Sequence, residues 1–377
     1  NLQLFRLGTY MRECLQSFKD TDFRPIILDP VSESDQKIIQ DISRISGIIL
    51  QDTLVAQVTE LIKIENPSQR LADDVLLEMA QEYINKNKKN SLCNYIYYPW
   101  RNTLTVLLKE ADFIKVRTAR NKNKITAEEQ ELLSKKVIGL IGLSVGQTVA
   151  LSLAMERSFG ELRIADFDIL ELSNLNRIRT SVCHLGDRKV NIVAREIAEL
   201  DPYLKVTIYD DGITKENMRD FFTEGGNLDL LIEECDSLPI KISSRLMAKS
   251  LGIPVLMDTS DRGMIDIERF DLDPERPIFH GKLSIFGKED QLLAGLAENA
   301  QSYFMNVVDF ENVSKRGKES FMQIGKTLST WPQLGSEVIY GGGVCASYAR
   351  KILLGETVPS SRFYVDLNAY LKLSHES

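Results

Sequence analysis

From Val137 to Met257, short apolar runs alternate with amphipathic stretches, and this alternation limits the fold more than any other feature of the chain. Val137–Ile141, Leu162–Ala165, Lys205–Tyr209, Leu228–Ile232 and Ile253–Met257 read as strands. Gly146–Arg157, Lys189–Leu200, Lys215–Phe222 and Ile240–Ser250 read as helices between them. A brief run that is apolar on every side fits a strand covered on both faces. Strands that alternate with helices connect by right-handed crossovers, which lay the strands parallel. The prediction is an α/β fold, doubly wound around a mainly parallel sheet.

One competing reading of the same region fails. Val137 to Met155 carries no charge, and its length approaches the roughly 20 residues of a membrane-spanning helix. Gly139, Gly142, Ser144, Gly146, Gln147 and Thr148 interrupt it as a strand, a turn and a helix would. No signal-peptide pattern opens the sequence. The five cysteines (Cys14, Cys93, Cys183, Cys235, Cys345) are widely spaced and form no C-x-x-C pair. They frame neither a zinc site nor a disulfide scaffold, and a reducing cytoplasm is the expected setting. The 377-residue chain has a net charge of −8, which argues against a DNA-binding or anionic-membrane surface. Its three histidines (His184, His280, His375) leave little material for chemistry based on imidazole.

Residues 1–115 read as a separate N-terminal region, α/β or mostly helical, of unknown role. A short strand is expected at Pro25–Leu28 and helices near 50–64 and 72–85. The aromatic residues Tyr95, Tyr97, Tyr98 and Trp100 read as packing in a core or domain interface. A basic segment containing Lys115, Arg117, Arg120, Lys122 and Lys124 follows. Thr126 and Glu129 then offer a capping box for a helix to about Ser134.

The loop Gly142-Leu-Ser144-Val-Gly146 joins the first strand to the first helix. There a nucleotide can approach bare backbone amides at a positive helix end. Ser144 stands where a dinucleotide fingerprint has glycine, and Ser320 stands where a P-loop before Gly325-Lys326-Thr327 needs one. Asp166 ends the second strand, the expected place for an acid that bonds ribose hydroxyls. These features indicate a nucleotide without choosing between NAD and ATP. Asp168, Asn174, Arg177 and Lys189 follow directly. Cations just past a ribose acid suit an enzyme that must neutralise a triphosphate, and a hydride-transfer domain has no use for them. Asp236, just past the Leu228–Ile232 strand, is placed to hold Mg²⁺.

The string from Asp166 through Asp168, Ser173 and Asn174 to Arg177 resembles the signature of the E1-like, or ThiF/MoeB/HesA-like, adenylating enzymes. The likeness runs from about Arg117 to Gly355 and includes Ile253-Pro254-Val255 and a closing helix, Gly341–Leu354. It implies a Rossmann-like sheet of the adenylation type in residues 116–370, with a nucleotide-binding core over 136–270 and a completion over 271–370. It also implies ATP and Mg²⁺ as cofactors. Asp166 would bind ribose; Asn174, Arg177 and Lys189 the phosphates; Asp236 the magnesium. Gly142, Ser144, Gly146 and Asp168 would complete the nucleotide site. Such enzymes commonly pair as homodimers in which an arginine reaches the partner's ATP, and Arg120 (or Arg117) stands at the matching place. The substrate would be a carboxylate: a ubiquitin-like protein C-terminus, a peptide or a small acid. Relatives with an extra N-terminal segment resemble this chain most, and some of them continue into a nitroreductase-like module that lies outside this sequence.

Several positions depart from the family pattern. Ile178 follows Arg177 where glutamine is usual, Lys241 stands where arginine is common, and the paired C-x-x-C zinc site is missing. No cysteine sits at the place of a thioester nucleophile; Cys183 reads as structural. Asp258-Thr-Ser-Asp261-Arg262 is more charged than its counterparts. A nucleotide-binding scaffold without turnover and an NAD- or FAD-dependent oxidoreductase are the two alternatives.

Overall fold

The computed structural model describes residues 22–367 and 369; Cys14 and His375 lie outside them. The chain divides into two compact units, the first formed by Asn1–Ala127 with Ala194–Tyr203, the second by Glu128–Val193 with Leu204–Ser377.

The first unit contains a four-stranded sheet in the order β1-β3-β4-β2. Its elements are β1 (Ile26–Leu28), α1 (Glu33–Ser43), β2 (Ile49–Asp52), α2 (Leu54–Glu65), α3 (Asp73–Asn87), β3 (Cys93–Tyr98), β4 (Thr103–Leu108) and α4 (Glu110–Arg117). Ser32 caps α1 by accepting from the Asp35 N–H, with Glu33 and Asp35 in the positive first turn. β2 and β4 are parallel, and the other pairs are antiparallel. One face of β3 and β4 packs on α1–α3 through Tyr97 and Leu104 with Ile42, and Val106 and Leu108 with Val58 and Leu76. On the other face the Tyr98 hydroxyl donates to the Ala198 carbonyl at 3.1 Å, and Asn94 Nδ2 donates to the Tyr203 hydroxyl at 3.1 Å. The region therefore carries more sheet than the sequence reading foresaw, although helix still outweighs strand in it.

The second unit is built on a seven-stranded sheet, β11-β10-β9-β8-β5-β6-β7. In chain order it runs α5 (Ala127–Leu133), β5 (Val137–Ile141), α6 (Gly146–Glu156), β6 (Glu161–Ala165), α7 (Lys189–Leu200), β7 (Lys205–Tyr209), α8 (Met218–Thr223), β8 (Leu230–Glu233), α9 (Leu238–Ser250), β9 (Val255–Thr259) and β10 (Met264–Glu268). α10 (Leu292–Val307), α11 (Lys315–Phe321), α12 (Gly335–Leu353) and β11 (Ser361–Tyr364) complete it. The division between the units passes through α7. Strands β7, β6, β5, β8 and β9 are mutually parallel, and β10 and β11 extend the sheet antiparallel. The predicted wound, mainly parallel sheet is thus present.

The chain leaves β5 toward β6 on one side and reaches β8 on the other. This reversal opens a crevice at the carboxyl edge of the sheet, where ligands bind in folds of this kind. Val137 to Met155 is strand, turn and helix, as the glycines predicted, and among the described residues no helix is long and apolar enough to cross a membrane. α12 starts at Gly335, earlier than the expected Gly341. A Cβ on Gly342 would lie 2.7 Å from the Thr148 methyl of α6, so glycine lets these two helices touch.

Candidate functional site

The turn after β5 brings backbone to the crevice. Gly142 has φ +90°, and a Cβ there would meet the Cys235 N at 2.7 Å and the Glu234 carbonyl at 2.8 Å. Only glycine fits this left-handed, crowded position. Gly146 starts α6, and a Cβ there would press on Leu140 at 2.6 Å. The expected glycines are therefore there for two different reasons: one turns the chain and one seats the helix.

Asp166 directly follows β6 and is buried. Its carboxylate accepts from the Leu143 N–H at 2.7 Å and from the Asp168 N–H at 2.8 Å, which ties the glycine turn to the second strand. Burial raises its pKa above the usual carboxylate value, while Lys189 and the two N–H donors oppose that rise. Lys189 opens α7 and is itself buried. Its ammonium donates to Asp168 Oδ2 at 2.7 Å and to the Ser144 hydroxyl at 3.0 Å. The side chains of Ser144, Asp168 and Lys189 thus form one cluster at the mouth of the turn.

Asn174 is buried, and its Oδ1 accepts from the Glu171 N–H at 3.0 Å in a reciprocal cap of the short segment Leu172–Asn176. Arg177 donates through Nη1 to Asn176 Oδ1 at 3.0 Å, and its Nε is buried without an acceptor. Gln147, fully buried on α6, clamps the next residues in place: it donates to the Arg179 carbonyl and accepts from the Arg179 N–H, both at 3.0 Å. Sequence reasoning missed Gln147 as the residue that positions this arginine segment.

Two cavities meet at the ends of β5, β6, β8 and β9. The smaller, about 140 Å³, is lined by Gly142, Ser144, Asp166 and Asp168, with apolar walls from Ile213 and Ile240. The larger, about 380 Å³, is lined by Arg177, Lys241, Asp258 and Asp261 and by apolar and aromatic side chains. Glu234, Cys235 and Asp236 line both. Arg177 and Asp236 therefore share one cavity, and Lys189 holds two residues of the adjoining one. No histidine lines either cavity.

A sequence profile of the ThiF family matches residues 118–373. The chain belongs to the ThiF family. It is 44% identical over 277 residues to the uncharacterized protein MT1398 of Mycobacterium tuberculosis (strain CDC 1551 / Oshkosh), which covers 74% of this chain and 38% of that protein. This ThiF-family chain therefore spans about two fifths of that relative's length. It is 26% identical over 156 residues to the tRNA threonylcarbamoyladenosine dehydratase of Bacillus subtilis (strain 168), covering 41% of this chain and 60% of that one. Among solved structures, E. coli tRNA N6-threonylcarbamoyladenosine dehydratase in complex with ATP superposes with a TM-score of 0.45 at 20% identity, covering 66% of this chain and 97% of that one.

Some residues of the ThiF-family domain have surroundings that the sequence did not reveal. Lys241 points its ammonium at both oxygens of Glu233, 3.1 Å each. Burial alone would raise the pKa of Glu233, but Lys241 and Arg245 outweigh it and hold the group ionised. Arg245, fully buried, also binds Glu268 at 2.8 Å and lies 4.1 Å above the Phe279 ring. Burial and the charge of Glu233 raise the Cys235 thiol well above its usual pKa, so it is no ready nucleophile. Asp258 is buried, accepts no hydrogen bond, and is pushed up to about 7 by burial. Glu234 lies alongside, raised well above its usual pKa by burial and by Asp258.

Arg120 belongs to the first unit, on the turn Ala119–Asn121, and Arg117 there donates to the Leu200 carbonyl at 3.1 Å. Among the described residues no group of three or more His, Cys, Asp or Glu side chains could hold a metal. The exposed Asp236 carboxylate fits Mg²⁺ only in the manner of nucleotide sites, where phosphate oxygens supply most of the ligands.

Proposed function

We propose that the second unit is an ATP-dependent adenylating domain that converts a carboxylate to its acyl-adenylate and releases pyrophosphate. What carries this reading is the convergence of Lys189, Arg177 and Asp236 on two adjoining cavities around the glycine turn. The smaller cavity takes the nucleotide, with its base against Ile213 and Ile240 and its ribose near Asp166. The larger takes the acyl group.

The chemistry needs charge control more than proton transfer. A carboxylic acid with a pKa near 4 is almost wholly ionised at neutral pH and needs no general base. This suits cavities without histidine. The carboxylate oxygen attacks the α-phosphorus, and the bond from that phosphorus to the β-phosphate oxygen breaks. Lys189 and Arg177 lower the repulsion between the two anions and stabilise the departing pyrophosphate. Mg²⁺ on Asp236 would add positive charge beside the phosphates. In a homodimer, the partner subunit's Arg120 would reach the nucleotide as a further cation. The net charge of −8 gives no sign of a tRNA substrate.

Carboxylate-dependent exchange of labelled pyrophosphate into ATP tests the reading. Exchange that requires both a carboxylic acid and Mg²⁺ is the expected result. One observation favours a second reading, a scaffold that binds nucleotide without turnover: both oxygens of Asp166 already accept backbone N–H groups. ATP binding with no exchange against any carboxylate would establish that reading instead.

A further inference from the structure

The larger cavity has two unlike walls. The carboxyl edge of the sheet gives the polar one, where Glu234, Cys235 and Asp236 are shared with the smaller cavity. The chain between β10 and α12 gives the other, with Phe304, Val307, Val308, Val313, Ile324 and Trp331. The rings of this second wall hold one another in place. Phe304 stacks on Phe321 with centroids 5.9 Å apart, Trp331 stands edge-on to both at 6.4 Å, and Phe310 meets Phe321 edge-on at 5.1 Å. Such a wall is preorganised and does not collapse into the space it borders.

The apolar wall is tied beside a cation. Asn176 Nδ2 donates at 2.7 Å to the carbonyl of Gln333, two residues from Trp331, while Asn176 Oδ1 accepts from Arg177 Nη1 at 3.0 Å. Other charges on the cavity are engaged or covered. Asp261 accepts from the N–H and the hydroxyl of Ser314 at 2.8 and 2.6 Å, and Lys241 is bonded to Glu233. Both oxygens of Asp258 are buried, with Oδ2 only 2.1 Å from where a Cβ on Gly341 would lie. Arg177 is left with a buried Nε that has no acceptor. An unmet cationic donor next to an aromatic and aliphatic wall suits an anion with an apolar body.

We infer that the larger cavity selects a small carboxylic acid with a continuous apolar acyl body, its carboxylate turned toward Arg177 and its body laid against Phe304 and Trp331. A volume of about 380 Å³ is that of a small-molecule site. A peptide or ubiquitin-like C-terminus brings an N–H and a carbonyl with every residue, and the six apolar side chains of this wall give those groups no partner. The inference rests on the adenylation reading for what happens to the carboxylate; recognition of the apolar body does not depend on it.

Equilibrium dialysis of the full chain, without ATP, tests it with labelled butanoate, hexanoate and octanoate, and with glycylglycine standing for a peptide C-terminus. Affinity is expected to rise about fourfold for each added methylene, with glycylglycine weaker than octanoate. Val308→Trp narrows the cavity and is expected to remove the gain from hexanoate to octanoate. A flat series, or glycylglycine bound as tightly as octanoate, overturns the inference from the wild-type protein alone, whether or not the variant folds. An undiminished rise in a Val308→Trp protein that melts like wild type overturns it as well. Pyrophosphate exchange with the same compounds separates the two ideas. Binding that grows with chain length but gives no exchange supports the apolar site and refutes adenylation; exchange with glycylglycine and none with octanoate refutes the apolar site and leaves adenylation standing.

Discussion

Replacing Lys189 with methionine keeps much of the side chain's volume and removes its charge. Two hydrogen bonds are lost, to Asp168 Oδ2 at 2.7 Å and to the Ser144 hydroxyl at 3.0 Å. Taken singly, a bond between charged partners contributes about 1.5–3 kcal/mol and a neutral one about 1 kcal/mol. Two effects offset this loss. The Asp168 side chain is 50% exposed, so water solvates its carboxylate once the ammonium is gone. The variant also no longer buries an ammonium, a group whose own desolvation is costly. The net loss of stability is therefore about 1 kcal/mol, or roughly 2–4 °C in melting temperature for a domain of this size. The catalytic loss is larger. Removing one preorganised contact to developing charge typically costs about 10²–10³ in rate, equivalent to about 2.7–4 kcal/mol. Pyrophosphate exchange at saturating ATP, measured beside a thermal melt, compares the two effects. Wild-type-like exchange in a Lys189→Met protein that still folds would refute the assignment of this lysine to the phosphates.

Three further outcomes follow from the geometry. Gly142→Ala forces a Cβ into backbone at 2.7 Å with φ +90°, so a loss of about 1–3 kcal/mol is expected in urea unfolding, and an unchanged midpoint would show that the turn relaxes freely. Arg245→Met strands the buried Glu268 and leaves Glu233 with Lys241 alone, and is expected to cost about 3–5 kcal/mol; a neutral effect would mean that the cluster is hydrated. Asp258 ionises at about 7 in the folded chain and near 4 when unfolded, so its contribution to stability is full below pH about 4 and falls as pH rises toward about 7. Asp258→Asn lacks that slope and should gain relative to wild type in melts at about pH 8 compared with about pH 4; a difference that is flat with pH would contradict the burial argument.

The parallel half of the second sheet was legible because β5 and β8 are apolar and covered on both faces, so their runs stand out from the amphipathic helices between them. In the first unit's sheet β1 was legible, as the short strand expected at Pro25–Leu28, but β2 and β3 were hidden for physical reasons. All four residues of β2 are exposed and β3 is buried on both faces, so neither shows the alternation that marks a half-covered strand. α12 begins six residues before the start at Gly341 that the family resemblance implied, and Gly342 within it is needed for contact with α6. Among the candidate site residues, Asp166, Lys189 and Asp236 stood out because each follows a predicted strand or opens a predicted helix, and Arg177 because it closes the string that begins at Asp166. Glu234 did not, and Asp258 stood out only as part of a charged string. A charged residue at a strand end reads as solvated, and these two become neighbours only because β8 and β9 pair. The bond of Lys241 to Glu233 was hidden in the same way, since sequence spacing does not show which carboxylate a lysine reaches.

A crystal structure of the chain with a non-hydrolysable ATP analogue and Mg²⁺ tests the central claim most directly. The account predicts the phosphates at the β5–α6 turn within hydrogen-bond reach of Lys189 and Arg177, with the metal on Asp236. A nucleotide bound elsewhere, or one whose phosphates turn away from these three residues, would contradict it.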